Sequence, residues 1–275
     1  MQFVEANGAR IPALGMGTMT LKGDVCVNAV SAALKLGYRH LDTAERYGNE
    51  VEVGEGLRAS GIDRKDVFVT TKVYWDKLAP GDFETSFDDS LQKLKLPAVD
   101  LLLIHWPSKT VPLTDTIPLL CKAKRDGRAK HIGIANFTVP LIEEAVRLAT
   151  EPLVTNQIEV HPYLDQSKVI AACRRHGISN TAYCPLARGQ VPGDAALAGI
   201  GQRHGKTAAQ VALRWLVQQG IIVIPRSSNP ARLAENMTVF DFALSDAEMA
   251  EIARLRRPDS RVVNPPHAPQ WDLAA

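Results

Sequence analysis

Short apolar runs of β character alternate with amphipathic helical stretches eight times along the 275 residues, and this alternation restricts the fold more than any other feature. The runs lie at 13–18, 38–42, 67–71, 99–104, 131–135, 154–159, 178–183 and 221–224. Helical periodicity follows each of them, at 24–35, 50–60, 82–94, 113–125, 140–148, 166–176, 208–219 and 230–237. In 82–94, for example, Phe83, Phe87, Leu91 and Leu94 fall on one helical face. Alternating βα units imply a parallel sheet. Eight of them predict closure into a (β/α)8 TIM barrel, one domain spanning 1–275. An open doubly wound sheet is the alternative, but no Gly-x-Gly-x-x-Gly turn follows the first strand.

Other segments decorate this frame. Residues 2–12 predict a hairpin turning at Asn7-Gly8. Two additional helices are expected, at 194–204 and after Ser245-Asp246-Ala247-Glu248, a capping box. Thr138 and Thr207 read as N-caps. Gly15 and Gly17 in the first strand fit either close approach of a ligand or crowding at a barrel bend. The tail from 256 holds four prolines and Trp271, and is expected to lie as an ordered loop over a barrel rim.

Charge decides little about chemistry but excludes some partners. The 32 basic and 30 acidic residues leave a net charge of +2, with no basic tract or acidic tail. That balance argues against nucleic acid or a membrane surface as the main partner. No apolar run approaches the length of a membrane span, and the N-terminus lacks a signal-peptide core. Cys26, Cys121, Cys173 and Cys184 form no CxxC pair and no zinc spacing, so free thiols in a reduced cytoplasm are expected. Without a heptad seam or exposed apolar run, a monomer is expected.

The candidate chemistry lies at strand ends. Three consecutive strands, from 38–42 to 99–104, end in Asp42, Lys72 and His105, spaced 30 and 33 residues apart, and Tyr47 follows Asp42 in a polar loop. In a parallel barrel, catalytic groups sit at the C-terminal strand ends. Taken singly, each has an ordinary explanation: Asp42 as a helix cap, Lys72 as a rim charge, Tyr47 as a packing residue, His105 as a satisfied core histidine. Taken together they suit proton donation to a carbonyl oxygen. A phenol is a poor acid at neutral pH, and a neighbouring ammonium, Lys72 held by Asp42, is expected to lower its pKa. His105 would orient the carbonyl as charge develops on its oxygen. With no nucleophile or metal cluster in view, the natural electron source is a nicotinamide hydride.

Asp42-Thr43-Ala44-x-x-Tyr47-Gly48-Asn49-Glu50, Thr71-Lys72-Val73, Leu102-Leu103-Ile104-His105-Trp106-Pro107 and His131-Ile132-Gly133-Ile134-Ala135-Asn136-Phe137 resemble, in order, the signatures of the aldo-keto reductases. Asn156-Gln157-Ile158-Glu159-x-His161-Pro162-Tyr163 and Ile224-Pro225-Arg226-Ser227 extend the resemblance over essentially the whole chain. Within the family it looks most like the bacterial 2,5-diketo-D-gluconate reductase type. The resemblance implies a barrel that binds extended NADPH without a Rossmann turn. Tyr47 would be the general acid, Lys72 and Asp42 its tuners and His105 the carbonyl-orienting group. Asn136 and Gln157 would hold the nicotinamide carboxamide and Tyr183 would stack on the ring. Gly17, Thr18, Leu186 and Gly189 match backbone lining the cofactor. Arg226, Ser227 and Arg232 match the 2′-phosphate site, a fork of donors suited to a phosphate dianion. Glu235 and Asn236 match adenine contacts.

Four positions depart from the family pattern. Ala135 replaces a serine that helps hold the carboxamide, Arg226 a lysine, Cys184 a serine and Tyr74 a pocket tryptophan, with Trp75 beside it. Further substrate-wall candidates are Met19, Trp106, His267 and Trp271. The expected activity is NADPH-dependent reduction of a small polar carbonyl, 2,5-diketo-D-gluconate and methylglyoxal among the possibilities. The competing readings are a non-enzymatic NADPH-binding subunit on the same fold and a barrel isomerase or lyase.

Overall fold

The computed structural model describes residues 2–272. At the N-terminus, β1 (Phe3–Ala6) and β2 (Ala9–Pro12) pair antiparallel, with Val4 opposite Ile11. Asn7 and Gly8 both take positive φ, 44° and 83°, the backbone that a two-residue type I′ hairpin requires. The Asn7 side chain also donates to the carbonyls of Leu153 (2.7 Å) and His176 (3.0 Å), which fastens the hairpin across the bottom of the barrel.

Eight parallel strands follow in sequence order: β3 (Met16–Gly17), β4 (His40–Asp42), β5 (Phe68–Val73), β6 (Val99–Ile104), β7 (Ala129–Ala135), β8 (Leu153–Glu159), β9 (Ser179–Tyr183) and β10 (Ile222–Val223). The sheet closes on itself through parallel bridges from Leu14 to Val223 and from Gly17 to Arg226. Gly15 N–H donates to Val223 O (2.8 Å) and Val223 N–H to Ala13 O (2.9 Å) across that seam. The two early glycines are explained here. A Cβ on Gly15 would stand 2.7 Å from His40 Nδ1, and one on Gly17 2.7 Å from Ile224 O. Crowding at the closure therefore excludes a side chain at both positions.

The outer layer comprises α1 (Gly23–Lys35), α2 (Glu50–Ser60), α3 (Asp82–Leu94), α4 (Leu113–Arg125), α5 (Val139–Leu148), α6 (Ser167–Arg175), α7 (Ala195–His204), α8 (Ala208–Gln218), α9 (Pro230–Met237) and α10 (Asp246–Ala253). The two additional helices are α7 and α10. Thr207 caps α8 and Ser245 caps α10, each in a reciprocal capping box. Thr138 stands at the N-cap of α5 without a side-chain cap bond. Asp272, from the tail, supplies that acceptor instead, taking the Val139 N–H at 3.0 Å.

Two apolar layers result. Outward strand residues such as Leu102, Ile104, Ile132 and Ile134 pack with Phe83, Phe87, Ile117 and Leu120 of the helices. Inward residues Leu101, Leu103, Ala135, Val154 and Ile222 pack with Ile11 of the hairpin, which plugs the barrel. The β7–β8 register shifts between Ile132 and Ile134. The shift inserts one residue into β8, and beyond it Gln157 points inward to Asp42. Re-aiming a side chain is the usual consequence of such a bulge. Among the described residues no helix is long and apolar enough to cross a membrane, and all four cysteines are free thiols.

Candidate active site

Strands β4, β5 and β6 bring Asp42, Lys72 and His105 to the same mouth. Lys72 lies within β5 rather than just beyond it, and its aliphatic stem runs through the barrel interior, fully buried. The ammonium donates to Asp42 Oδ1 (2.6 Å) and to the Thr43 carbonyl (2.7 Å), and Tyr47 OH lies 3.4 Å away. Asp42 is held from the other side by Gln157 Nε2, 2.7 Å from Oδ2. Its backbone carbonyl takes both the N–H (3.0 Å) and the hydroxyl (2.9 Å) of Thr18. A buried ion pair persists only when its lone pairs and protons are satisfied in this manner.

Tyr47 ends a short 3₁₀ turn, Glu45–Tyr47, that Gly48 closes in the left-handed region at φ 58°. Lys22 clamps the same turn by donating to the Tyr47 and Gly48 carbonyls. The Tyr47 and His105 rings meet edge to face with centroids 5.6 Å apart. The three residues predicted from strand ends and the loop tyrosine therefore converge.

The electrostatics correct one expectation. The phenol's pKa is not lowered overall in this site; burial, followed by the Asp42 charge, pushes it well above its ordinary 10. A phenolate here would lose water and face a carboxylate, and both disfavour it. Tyr47 is thus fully protonated at neutral pH. Burial also lowers the Lys72 pKa, against the pull of Asp42. His105 is pushed well below 6.5 by burial, then by the charges of Lys72 and His267. It is a neutral imidazole, and its buried Nδ1 has no hydrogen-bond partner.

Beside this group lies an amide pair. Asn136 Nδ2 donates to His105 O (2.9 Å), and Tyr183 OH donates to Asn136 Oδ1 (2.7 Å). Asn136 takes φ 63°, a conformation that asparagine tolerates better than most residues. Burial and then the Glu159 charge raise the Tyr183 pKa well above 10, so its neutral ring stands at the mouth. Ala135, one residue earlier, is fully buried in the apolar barrel interior.

The remaining predicted positions separate into two sets. Arg226 and Arg232 are exposed, and neither forms an ion pair among the described residues. Ser227 is buried between them, its hydroxyl accepting from Asn229 N–H at 3.1 Å. Leu186 and Gly189 belong to the strained loop after β9, where Cys184, Ala187, Arg188 and Gly189 all have positive φ. Glu235 accepts from the Thr207 hydroxyl (2.6 Å) and Asn236 is buried beside Tyr38, so both brace α9 against its neighbours.

An aromatic wall covers His105. Tyr74 lies 5.4 Å from both His105 and His267 by ring centroid, and its hydroxyl is 3.2 Å from His267 Nε2. His267 stacks on Trp75 (5.2 Å) and meets Trp106 edge-on, while Trp271 packs on Trp106 at 6.0 Å. Met19 does not join this wall and remains 42% exposed. Sequence reasoning missed Arg46, whose guanidinium lies 5.3 Å over the Tyr74 ring, and Lys22. Both sit close in sequence to predicted site residues, but nothing in their spacing marks them.

A closed eight-stranded barrel with a buried Asp–Lys pair, a phenol and a neutral histidine at its C-terminal mouth defines an oxidoreductase site. The model of the aldo/keto reductase family matches residues 13–257, and the chain belongs to that family. A curated relative, methylglyoxal reductase DkgB of Escherichia coli O157:H7, is 42% identical over 266 residues, covering 95% of this chain and 99% of its own. A crystal structure provisionally described as 2,5-diketo-D-gluconic acid reductase B is 52% identical with a TM-score of 0.98, covering 99% of this chain and 98% of that one. A Bombyx mori aldo-keto reductase in complex with NADP superposes with a TM-score of 0.89 at 33% identity, covering 96% of each chain.

Proposed function

We propose that the chain is a cytoplasmic, monomeric NADPH-dependent reductase of small polar aldehydes or ketones, with methylglyoxal and 2,5-diketo-D-gluconate the leading candidates. The observation that carries this reading is the Lys72 ammonium, bonded to Asp42 at 2.6 Å and 3.4 Å from the hydroxyl of a fully protonated Tyr47. The relatives described as methylglyoxal and diketogluconate reductases support the substrate class, and the NADP complex of a neighbour supports the cofactor.

The residues present suit that cofactor. Tyr183 offers a neutral ring, Asn136 and Gln157 offer amides for a carboxamide, and Arg226, Arg232 and Ser227 offer charge-assisted donors for a 2′-phosphate. The backbone at Gly17, Thr18, Leu186 and Gly189 would line the path between them. When bound, NADPH supplies a hydride to the carbonyl carbon. The chain's own residues manage the oxygen. His105, neutral, donates a hydrogen bond that orients the carbonyl. Tyr47 gives its proton to the oxygen as negative charge develops there; its raised pKa keeps that proton in place until a strong base appears. Lys72 then stabilises the phenolate left behind, and Asp42 keeps the ammonium aimed. Trp75, Trp106, His267 and Trp271 exclude water, which strengthens each of these interactions.

The test is NADPH oxidation followed by absorbance against methylglyoxal, 2,5-diketo-D-gluconate and simple aldehydes. Turnover of at least one is expected. Tight NADPH binding with no turnover across the panel would instead support a non-enzymatic cofactor-binding subunit.

A further inference from the structure

The carboxylate of Glu159 ends β8 and, beyond its charge raising the Tyr183 pKa, belongs to none of the roles above. It is wholly buried. Its Oε1 accepts from Val262 N–H (2.6 Å) and lies 3.0 Å from His161 Nε2, and its Oε2 accepts from Val263 N–H (2.8 Å). Two successive tail N–H groups thus converge on one buried carboxylate, the arrangement by which backbone nests hold anions. Here the anion comes from the barrel and the nest from the tail.

Neighbouring contacts fasten the same strap. Ser260 Oγ (2.6 Å) and Arg257 N–H (3.0 Å) both donate to the Tyr163 carbonyl, and Arg256 pairs with Asp165 at 3.2 Å. Beyond the clamp, Arg261 lies 3.7 Å over the Trp271 ring, Trp271 Nε1 donates to Asn264 Oδ1 (2.9 Å), and Asp272 caps α5. The segment between these anchors brings His267 and Trp271 onto Tyr74, Trp75 and Trp106.

We propose that Glu159 is a positioning residue: its carboxylate clamps residues 262–263 and thereby holds His267 and Trp271 in place as the wall on the carbonyl side of the site. The clamp needs acceptors at both oxygens. In Glu159→Gln the amide NH2 faces one tail N–H whichever way it turns, so donor meets donor and one buried N–H is stranded.

The experiment compares wild type with Glu159→Gln in two arms. The first is tryptic cleavage after Arg261, followed by mass spectrometry with NADPH absent; it is independent of the assigned activity. Cleavage is expected to accelerate about tenfold, the factor that one stranded buried donor implies. The second arm rests on the carbonyl-reductase reading. The KM for the carbonyl is expected to rise about tenfold, while NADPH affinity and kcat at saturating carbonyl stay within about twofold. A role confined to stability would lower the melting temperature without splitting KM from kcat. Val263→Pro removes one tail donor while leaving both the barrel and the Arg261–Val262 bond untouched, and is expected to reproduce both effects. Wild-type cleavage and KM in the two variants would overturn the proposal, as would a freed tail with unchanged KM. Parallel losses of kcat and NADPH affinity overturn it too, because Glu159 would then act through the barrel. Should the wild type reduce no carbonyl, the cleavage arm alone judges the clamp.

Discussion

Replacing Lys72 with methionine keeps most of the side-chain volume inside β5 and deletes the ammonium that joins Asp42, Thr43 and Tyr47. Its Nζ lies 2.6, 2.7 and 3.4 Å from their oxygens. Because Lys72 is fully buried, the variant strands the Asp42 carboxylate with Gln157 Nε2, at 2.7 Å, as its side-chain donor. Breaking a buried pair in this way costs about 3–5 kcal/mol of stability. The catalytic loss is separate. At 3.4 Å and an effective dielectric of about 20, an ammonium stabilises a phenolate by about 5 kcal/mol. Asp42 offsets part of that field, and a net loss of about 3–4 kcal/mol corresponds to a rate lower by roughly 10²–10³-fold. Urea denaturation reads the first quantity and single-turnover NADPH oxidation the second. Adding Asp42→Asn removes the stranded charge, so the double variant is expected to regain about 1–3 kcal/mol while turnover stays low. A Lys72→Met enzyme as stable as wild type and reducing aldehydes within about threefold of it would refute both halves of the argument.

Tyr47→Phe removes the proton donor while keeping the ring against His105; single-turnover reduction is expected to fall by on the order of 10²-fold or more, with NADPH affinity unchanged in a fluorescence titration. Near-normal turnover would transfer the proton to His105. Arg226→Glu is expected to reverse a preference for NADPH over NADH, since each charge-assisted phosphate contact contributes about 1.5–3 kcal/mol; equal wild-type affinities for the two nucleotides would remove the phosphate site. For pH, His105 has a folded pKa pushed well below its ordinary 6.5, so below that value the unfolded chain takes up a proton that the folded one refuses. The stability contributed by the neutral imidazole is fully present above about 6.5 and is lost as pH falls toward the folded pKa. Melting curves between neutral and mildly acidic pH are therefore expected to converge for wild type and His105→Gln as the pH falls. A constant difference would show that His105 is not held neutral.

Much of this protein was settled locally. The apolar period of 82–94 fell on α3, the run 99–104 on β6 and the Asn7-Gly8 turn on its hairpin, because propensity, side-chain period and turn chemistry agree there and no distant contact opposes them. The site followed from the same regularity: equal βα repeats bring successive strand ends to one rim, so Asp42, Lys72 and His105 were placed together by spacing alone. Four decisions belonged to the tertiary structure. The extra residue in β8 turns Gln157 onto Asp42, and a register shift leaves no mark in a chain read without its neighbour strand. The Tyr47 pKa moves up rather than down, because the burial that sets it is a property of the assembled barrel and outweighs a charge that sequence proximity suggested. Thr138 yields the α5 cap to Asp272, which lies 133 residues beyond the capped Val139, and Glu159 grips Val262 and Val263, 103 and 104 residues further on. Such contacts require the barrel to close before their partners meet, and local sequence carries no record of them.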